Sequence, residues 1–235
     1  EASRAFSLET LYALGNIEEI YRRIEETSEL DSKNIRVAAF SAFFSENQEK
    51  ETTHDFCQKP LSFLYFSNLK SHVRDYDQFI KGIIKELNDV PTLWEPRTTF
   101  NGFQTPTHFN LFSKSYKYIS QLKSIILNEI DSYYSKFKKK SCLFIQQWPS
   151  NKNVIGWHNI LKMQGYQEVH IHPSGWLSGV IYLKVVPPLD KDEGAIKFSL
   201  NGVFYSNKNS PSLTYQPKLG DIVFFPSSLH HRTIP

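Results

Sequence analysis

Apolar residues recur at helical spacing in the first part of the chain and form short alternating runs in the second part. In the stretch 8–45 the helical spacing is interrupted by turn signals at Gly15-Asn16 and Asp31-Ser32, which predicts a helical hairpin. The following stretch, 45–60, is polar and lacks a period, and predicts a linker.

The pattern after the linker predicts helices followed by short strands. "LSFLYFSNL" (61–69) predicts a strand, and amphipathic spacing predicts helices over 69–90 and 114–139, with a loop over 98–112 between them. From residue 142 onward, seven apolar runs separated by Pro, Gly, Asn and Asp predict strands: "CLFIQQWPS", "NILKMQGYQEVHIH", "LSGVIYLKVV", "AIKFSL", "GVFYS", "LTYQP" and "DIVFFPS". The sequence therefore predicts an α+β, mostly β fold with helices packed on a β-sandwich or barrel.

Length, charge and cysteine content narrow the class of protein. The 235 residues suffice for one sizeable domain and a small extension, which predicts a helical segment 1–50 and a main domain 58–235 with its β core at 142–235. A net charge of +3 is too weak to indicate nucleic-acid binding, and the lysines at 136–140 suit a helix end. Two distant cysteines and no long apolar run favour a reducing, cytoplasmic setting without membrane or disulfide framework.

Histidines stand where two predicted strands meet loops. His170 and His172 lie one residue apart in "EVHIHPSGWLSGVIYL" and share a strand face. His230 and His231 follow the last apolar run, "GDIVFFPS". A pair on one strand with a third histidine from another is the pattern of a metal site for Fe, Zn, Ni or Cu. The alternative is two ordinary polar side chains at a strand end.

One stretch of the helical segment has a second interpretation. Residues 13–40, "ALGNIEEIYRRIEETSELDSKNIRVAAF", resemble one tetratricopeptide repeat, with Ser32 where a Pro is usual. Because one repeat cannot bury its own apolar face, two arrangements are open. It caps a longer array whose other repeats precede residue 1, or it is a hairpin packed on the main domain.

Two blocks of the main domain carry a family resemblance. "GWHNILKMQGYQEVHIHPSGWLSGVIYL" and "PKLGDIVFFPSSLHHRTIP" resemble a family of 2-oxoglutarate/Fe(II) oxygenases of bacteria and phages, over roughly 58–235. The resemblance implies a double-stranded β-helix, a jelly-roll or cupin-like core, with helices packed on one sheet. It also implies Fe(II), 2-oxoglutarate as cosubstrate, O₂, and a dioxygenase that hydroxylates its substrate.

The resemblance implies the iron ligands. His170 is the first ligand and His231 the distal one, while His172 stands where most such enzymes have Asp or Glu. Either His172 is itself a ligand, which the resemblance favours, or it supports the site and the Glu168 carboxylate binds the iron. No catalytic residue is expected beyond the ligands.

The resemblance also implies cosubstrate-binding residues. Tyr182 aligns with a tyrosine that hydrogen-bonds 2-oxoglutarate, and Ser178 and Lys184 share its strand face. Core packing is the alternative for Tyr182, and simple solvation for Lys184. The usual basic residue after the distal histidine has no counterpart before Pro235, and we expect the natural chain to continue.

The substrate side is less defined. Trp157, Asn159 and Trp176 are predicted to line the mouth of the site, with plain packing as the alternative for the aromatic rings. The tetratricopeptide-like segment suggests a peptide or protein substrate by analogy. Two rival functions remain: a cupin-like three-histidine metalloenzyme that does not use 2-oxoglutarate, and a non-catalytic binding scaffold.

Overall fold

The fold mixes helices with small antiparallel sheets. Residues 2–235, which the computed structural model describes, form six α-helices and nine β-strands. The helices are α1 (Ala2–Ala13), α2 (Ile17–Glu26), α3 (Ile35–Gln48), α4 (Tyr76–Leu87), α5 (Lys117–Phe137) and α6 (Leu143–Gln146). The strands are β1 (Tyr65–Asn68), β2 (Leu93–Trp94), β3 (Thr99–Gln104), β4 (Asn159–Gln167), β5 (Leu177–Ile181), β6 (Ile196–Ser199), β7 (Ser212–Tyr215), β8 (Asp221–Pro226) and β9 (His230–Thr233).

Three sheets of three strands each contain all nine strands of the described residues. Their orders are β1-β8-β5, β2-β3-β4 and β7-β6-β9, and every pairing is antiparallel. The mixed α and β composition agrees with the predicted class. Within residues 2–235 the strand pairing does not run continuously around a closed barrel.

Strand β8 lies at the centre of the fold and is buried along its whole length. Alternate side chains of a strand point to opposite faces. Ile222 and Phe224 accordingly pack in the core that includes α4 and α5, whereas Val223 and Phe225 pack in a second core with β6. One face of the β1-β8-β5 sheet therefore supports helices, and the other faces the sheet that contains β9.

The first three helices pack on the strands instead of standing apart. Phe40, Phe43 and Phe44 of α3 are fully buried and share the second core with Phe198 and Phe225. Helix α3 begins at the Asn34 cap, whose side-chain oxygen accepts the backbone N–H of Arg36. Two arrangements were open for the tetratricopeptide-like stretch. The contacts of α3 correspond to the second, in which the helices pack on the main domain.

Several predicted elements are wrong in type. "CLFIQQWPS" forms the short helix α6, in which Phe144 and Ile145 are both buried. The predicted loop 98–112 contains strand β3, and "GVFYS" contains no strand. The stretch 45–60 is not a free linker, because α3 continues to Gln48 and Phe56 and Cys57 lie in the core. Short apolar runs do not distinguish helix from strand, and tertiary packing decides.

The predicted helices of the main domain exist with narrower bounds. Helix α4 begins only after Asp75, whose carboxylate accepts the backbone N–H of Gln78, and a separate 3₁₀ turn occupies Leu69–Ser71. Helix α5 fills most of the range 114–139. No helix within residues 2–235 combines the length and apolar character that a membrane crossing requires.

A buried ion pair ties α1 to the turn before α3, and its loss should destabilise the fold. Arg4 donates to Asp31, which is 1% exposed, through Nη2 at 2.6 Å. The substitution Arg4→Ala would leave the buried Asp31 carboxylate without the arginine that pairs with it. Because Arg4 is itself partly exposed, we expect a loss of about 2 kcal/mol in the free energy of unfolding, measured by urea denaturation. Arg22→Ala, which removes only exposed pairs, should have a far smaller effect.

The same pair sets the direction of an acid effect. Burial alone would raise the Asp31 pKa, but hydrogen bonds from Arg4 and Asn34 outweigh it and lower the pKa. A carboxyl with a lowered folded pKa stabilises the fold above its unfolded pKa of about 4, and this contribution is lost as the pH falls. The Arg4→Ala defect should therefore shrink in acid; a defect independent of pH would contradict this account.

Candidate metal centre

Two separate parts of the chain bring three histidines together. Strand β4 ends at Gln167, and the chain continues directly to His170 and His172; His231 lies on β9. His170 and His231 form an isolated antiparallel bridge, in which each backbone N–H donates to the other carbonyl at 3.1 Å. The backbone N–H of His172 donates to the carbonyl of Ser227 at 3.1 Å.

The ring nitrogens of these histidines converge on one point. One nitrogen from each of His170, His172 and His231 lies within 4.8 Å of the others. Nδ1–H of His170 donates to the carbonyl of Glu168 at 2.6 Å, and Nδ1–H of His231 donates to that of Leu229 at 3.1 Å. Because a carbonyl only accepts, these bonds place the proton on Nδ1 and leave Nε2 with a free lone pair.

Burial keeps the three rings neutral. It lowers the pKa of His231, which is 7% exposed, well below its usual range. It also lowers the pKa of His170, against the bond to Glu168. It lowers the pKa of His172 to about 4, and repulsion from the Arg97 guanidinium, and from His170 in its protonated form, acts in the same direction. Neutral imidazole is the form that binds a metal, so the rings need not lose a proton at neutral pH.

The neighbouring His230 points elsewhere. Its ring lies edge-on to that of Tyr205, with centroids 5.6 Å apart, and is buried. The ring of His231 instead packs on Phe225, with centroids 4.6 Å apart. Adjacent residues of a strand face opposite sides, so only one of the two can join the cluster.

The donor set suits a divalent transition metal. Nε2 of His172 and Nε2 of His231 lie 3.2 Å apart, and the lone pair of His231 points into that space. A cation between the rings would use such lone pairs, and three nitrogen ligands leave further positions for other molecules. The Glu168 carboxylate is not among the side chains that group with the three rings within residues 2–235.

The matched family agrees with this donor set. Residues 156–235 match the family model described as "Putative 2OG-Fe(II) oxygenase". No curated protein matches the chain. The matched segment, 156–235, begins one residue before Trp157 and contains all three clustered histidines. Its family implies an oxidoreductase that uses Fe(II), 2-oxoglutarate and O₂, and three imidazoles are compatible with iron.

The predicted cosubstrate residues of the matched segment lie in different surroundings. The hydroxyls of Ser178 and Ser227 share a hydrogen bond at 2.7 Å. Because the carbonyl of Ser227 accepts the backbone N–H of His172, Ser227 connects Ser178 to the histidine cluster. Tyr182 packs against the same core as Phe225, and burial raises its pKa well above the usual range. Lys184 is exposed.

The three residues predicted at the mouth separate into two groups. Trp157 is 42% exposed, and its ring centroid lies 5.4 Å from that of His172. Asn159 is exposed at the start of β4. Trp176 packs instead against Phe56, with centroids 5.0 Å apart, and its indole N–H donates to the carbonyl of Phe144 at 2.9 Å. For Trp176 this is the packing alternative that the sequence left open.

Two residues near the cluster escape sequence reasoning. Ser227 bonds to Ser178 through its hydroxyl and to His172 through its carbonyl. Arg97 lies just before β3, where the carbonyl of Thr98 accepts the N–H of Glu168 at 2.9 Å, and its charge acts on His172. The sequence position of Ser227, between "FFP" and the last two histidines, could have indicated that it lies near the cluster. Arg97 gave no such signal, because only strand pairing brings it to the site.

Proposed function

We propose that the chain is an Fe(II)- and 2-oxoglutarate-dependent dioxygenase that hydroxylates its substrate. The iron would be held by His170, His172 and His231. One observation carries the proposal: three neutral imidazoles converge within 4.8 Å inside the segment that matches the oxygenase family. A chance group of histidines would not require two of the rings to be oriented by carbonyls of their own chain.

The proposed architecture is a double-stranded β-helix. In this arrangement the β1-β8-β5 and β7-β6-β9 sheets face each other across the core that contains Phe198 and Phe225. The packing of α4 and α5 behind the first sheet supports it. We propose residues 58–235 as the oxygenase domain and 1–50 as a tetratricopeptide-like unit attached to it.

The residues around the site suggest how the chain serves this chemistry. Bound iron would supply the oxidative decarboxylation of 2-oxoglutarate that is coupled to hydroxylation of a C–H bond. The rings of Phe225 and Phe198 pack on His231 and exclude water behind it. Trp157 borders the opposite, open side, where we propose that Trp157 and Asn159 contact the substrate, a peptide or protein being one class that fits an exposed face.

Charge balance supports an acidic cosubstrate. Three neutral histidines leave both charges of a divalent ion uncompensated, whereas a ligand set with one carboxylate compensates one of them. A dicarboxylate bound at the iron would supply the missing negative charge. Ser178, Tyr182 and Lys184 are proposed to contact it, and the positive charge of Arg97 adds to the attraction.

The decisive experiment is an anaerobic titration of the Fe(II)-loaded protein with 2-oxoglutarate. Chelation of iron by the 2-oxo acid produces a metal-to-ligand charge-transfer band. We expect the band to saturate at one equivalent of iron and to be absent in the His231→Ala variant. Bound iron with no band would refute 2-oxoglutarate as the cosubstrate, and absence of bound iron would refute the metal centre.

One observation favours a second candidate, a cupin-like three-histidine metalloenzyme that does not use 2-oxoglutarate. The cluster contains no carboxylate among the residues that the structure describes. The titration separates the two, because the second candidate binds iron without the band. A binding scaffold without catalysis would bind no stoichiometric iron.

The contribution of Arg97 can be tested separately. Arg97→Gln should weaken binding of 2-oxoglutarate to the Fe(II)-loaded protein by roughly 3- to 10-fold, because it removes one exposed cation near a dianion. The measurement is the midpoint of the charge-transfer titration. Arg74→Gln makes the same change in charge at another exposed position and should leave the midpoint unchanged. Equal effects of both variants would mean that only net charge matters.

A further inference from the structure

The two cysteines, which are far apart in sequence, meet in the structure. Cys57 follows α3 in the segment that enters the core, and Cys142 immediately precedes α6. The backbone N–H of Leu143 donates to the carbonyl of Asp55 at 3.0 Å, and that of Phe144 donates to Phe56 at 2.9 Å. These consecutive bonds hold the two segments side by side. The side chains of Cys57 and Cys142 consequently pack in the same core, Cys57 within it and Cys142 against it.

The two thiols differ in accessibility. Cys57 is 2% exposed and belongs to the core around Phe144, whereas Cys142 is only half-buried at the edge of that core. An oxidant can therefore reach Cys142 but not Cys57 in the folded chain. This asymmetry is the arrangement of an attacking thiol and a second thiol held behind it.

The same contact makes the thiols chemically unequal. Burial raises the pKa of Cys57, so that this thiol keeps its proton. The hydrogen bond from Cys57 lowers the pKa of Cys142 to about 7, against burial and the negative charge of Asp55. Tyr133 also faces the pair but stays neutral, because burial raises its own pKa. Cys142 is thus partly thiolate at neutral pH, and the thiolate is the reactive form.

We infer that Cys57 and Cys142 form a peroxide-reactive dithiol site that closes reversibly to a disulfide. The sulfur of Cys142 attacks hydrogen peroxide, an S–O bond forms, the O–O bond breaks, and hydroxide leaves as Cys142 becomes a sulfenic acid. The sulfur of Cys57 then attacks that of Cys142, the S–S bond forms, the S–O bond breaks, and the departing hydroxide takes the Cys57 proton as water. Two thiols are oxidised by two electrons, and one peroxide is reduced to two waters.

The contact between the thiols favours closure over further oxidation. A second thiol already in place makes the second step intramolecular, which gives it a high effective concentration. A sulfenic acid without such a neighbour would persist or proceed to sulfinic acid. The inference is independent of the proposed iron chemistry, since it uses neither the histidines nor 2-oxoglutarate.

The test is peroxide treatment of the full chain in a buffer with a chelator, which suppresses iron-catalysed oxidation. Peptide mapping by mass spectrometry without reduction should show a Cys57–Cys142 cross-link that dithiothreitol removes. The cross-link should also raise the Tm by roughly 5 °C or more, because it closes a long loop. Cys142 found as sulfinic acid or in an intermolecular disulfide, with Cys57 still reduced, would overturn the inference.

Matched variants assign the two roles. Cys57→Ala should leave Cys142 as a sulfenic acid that dimedone traps, and Cys142→Ala should leave Cys57 unreacted. A pH profile of iodoacetamide alkylation adds a second readout on the folded protein. Its midpoint should lie near 7 in the wild type, and Cys57→Ala should slow alkylation at pH 7 by roughly tenfold as the Cys142 pKa returns toward about 8.5. An unchanged profile would show that Cys57 does not activate Cys142.

Discussion

Replacing His231 with alanine is expected to abolish stoichiometric Fe(II) binding and the 2-oxoglutarate charge-transfer band. The ring supplies the lone pair that faces His172 across 3.2 Å, and its Nδ1–H bond to Leu229 orients it. Removing residues that merely support a ligand typically costs 10–100-fold in metal affinity, so losing a ligand should cost more than about 100-fold. The measurements are iron content after gel filtration and anaerobic titration.

The matched control is His230→Ala. His230 and His231 are adjacent and both buried, yet His230 contacts Tyr205 instead of the cluster. Each substitution leaves a cavity, and each should destabilise the fold by about 2–3 kcal/mol, measured by thermal unfolding. Only His231→Ala should lose iron. If His230→Ala lost iron to the same degree, the effect would reflect damage to β9 and not loss of a ligand.

Only part of the convergence of the histidines was predictable from a local rule. Strand side chains alternate with a period of two, which places His170 and His172 together and separates His231 from His230. That the two strands would be neighbours followed from the family resemblance and not from the period. The bridge between His170 and His231 is the tertiary contact that completes the group.

Errors in the predicted fold arise where tertiary packing overrides a weak local signal. "CLFIQQWPS" has the composition of a strand, but as a helix it places Phe144 against Phe56 and Phe63. The polar stretch 45–60 contains few apolar residues, yet Phe56 and Cys57 of that stretch are in the core. Such residues have no periodic pattern, so no local rule identifies them as buried.

The same limit explains the contacts that the sequence did not indicate. The charge of Arg97 acts on His172 only because β3 pairs with β4, in the register that sets Thr99 opposite Gln167. Cys57 and Cys142 meet only because two irregular segments lie side by side. Pairwise contacts between distant segments depend on the completed fold, whereas periodicity reports only which side of an element is buried.

Replacing His172 is expected to show whether this residue is an iron ligand. His172 stands where most enzymes of the resembled family have Asp or Glu. His172→Ala should lower Fe(II) affinity by more than about 100-fold if the ring is a ligand. His172→Asp should instead retain Fe(II) and the charge-transfer band, because it restores two histidines and a carboxylate, the usual donors for such iron. The two variants are compared with the wild type by anaerobic iron titration followed by titration with 2-oxoglutarate.

The carboxylate variant also tests the charge argument. Asp at position 172 would neutralise part of the iron charge, so 2-oxoglutarate should bind more weakly than in the wild type, by roughly 3- to 10-fold. His158→Asp is the control, because His158 is bonded to Thr105 and lies outside the cluster. It should leave both iron and 2-oxoglutarate binding nearly unchanged. If His172→Ala bound iron as tightly as the wild type, His172 would be a supporting residue and another group would complete the ligand set.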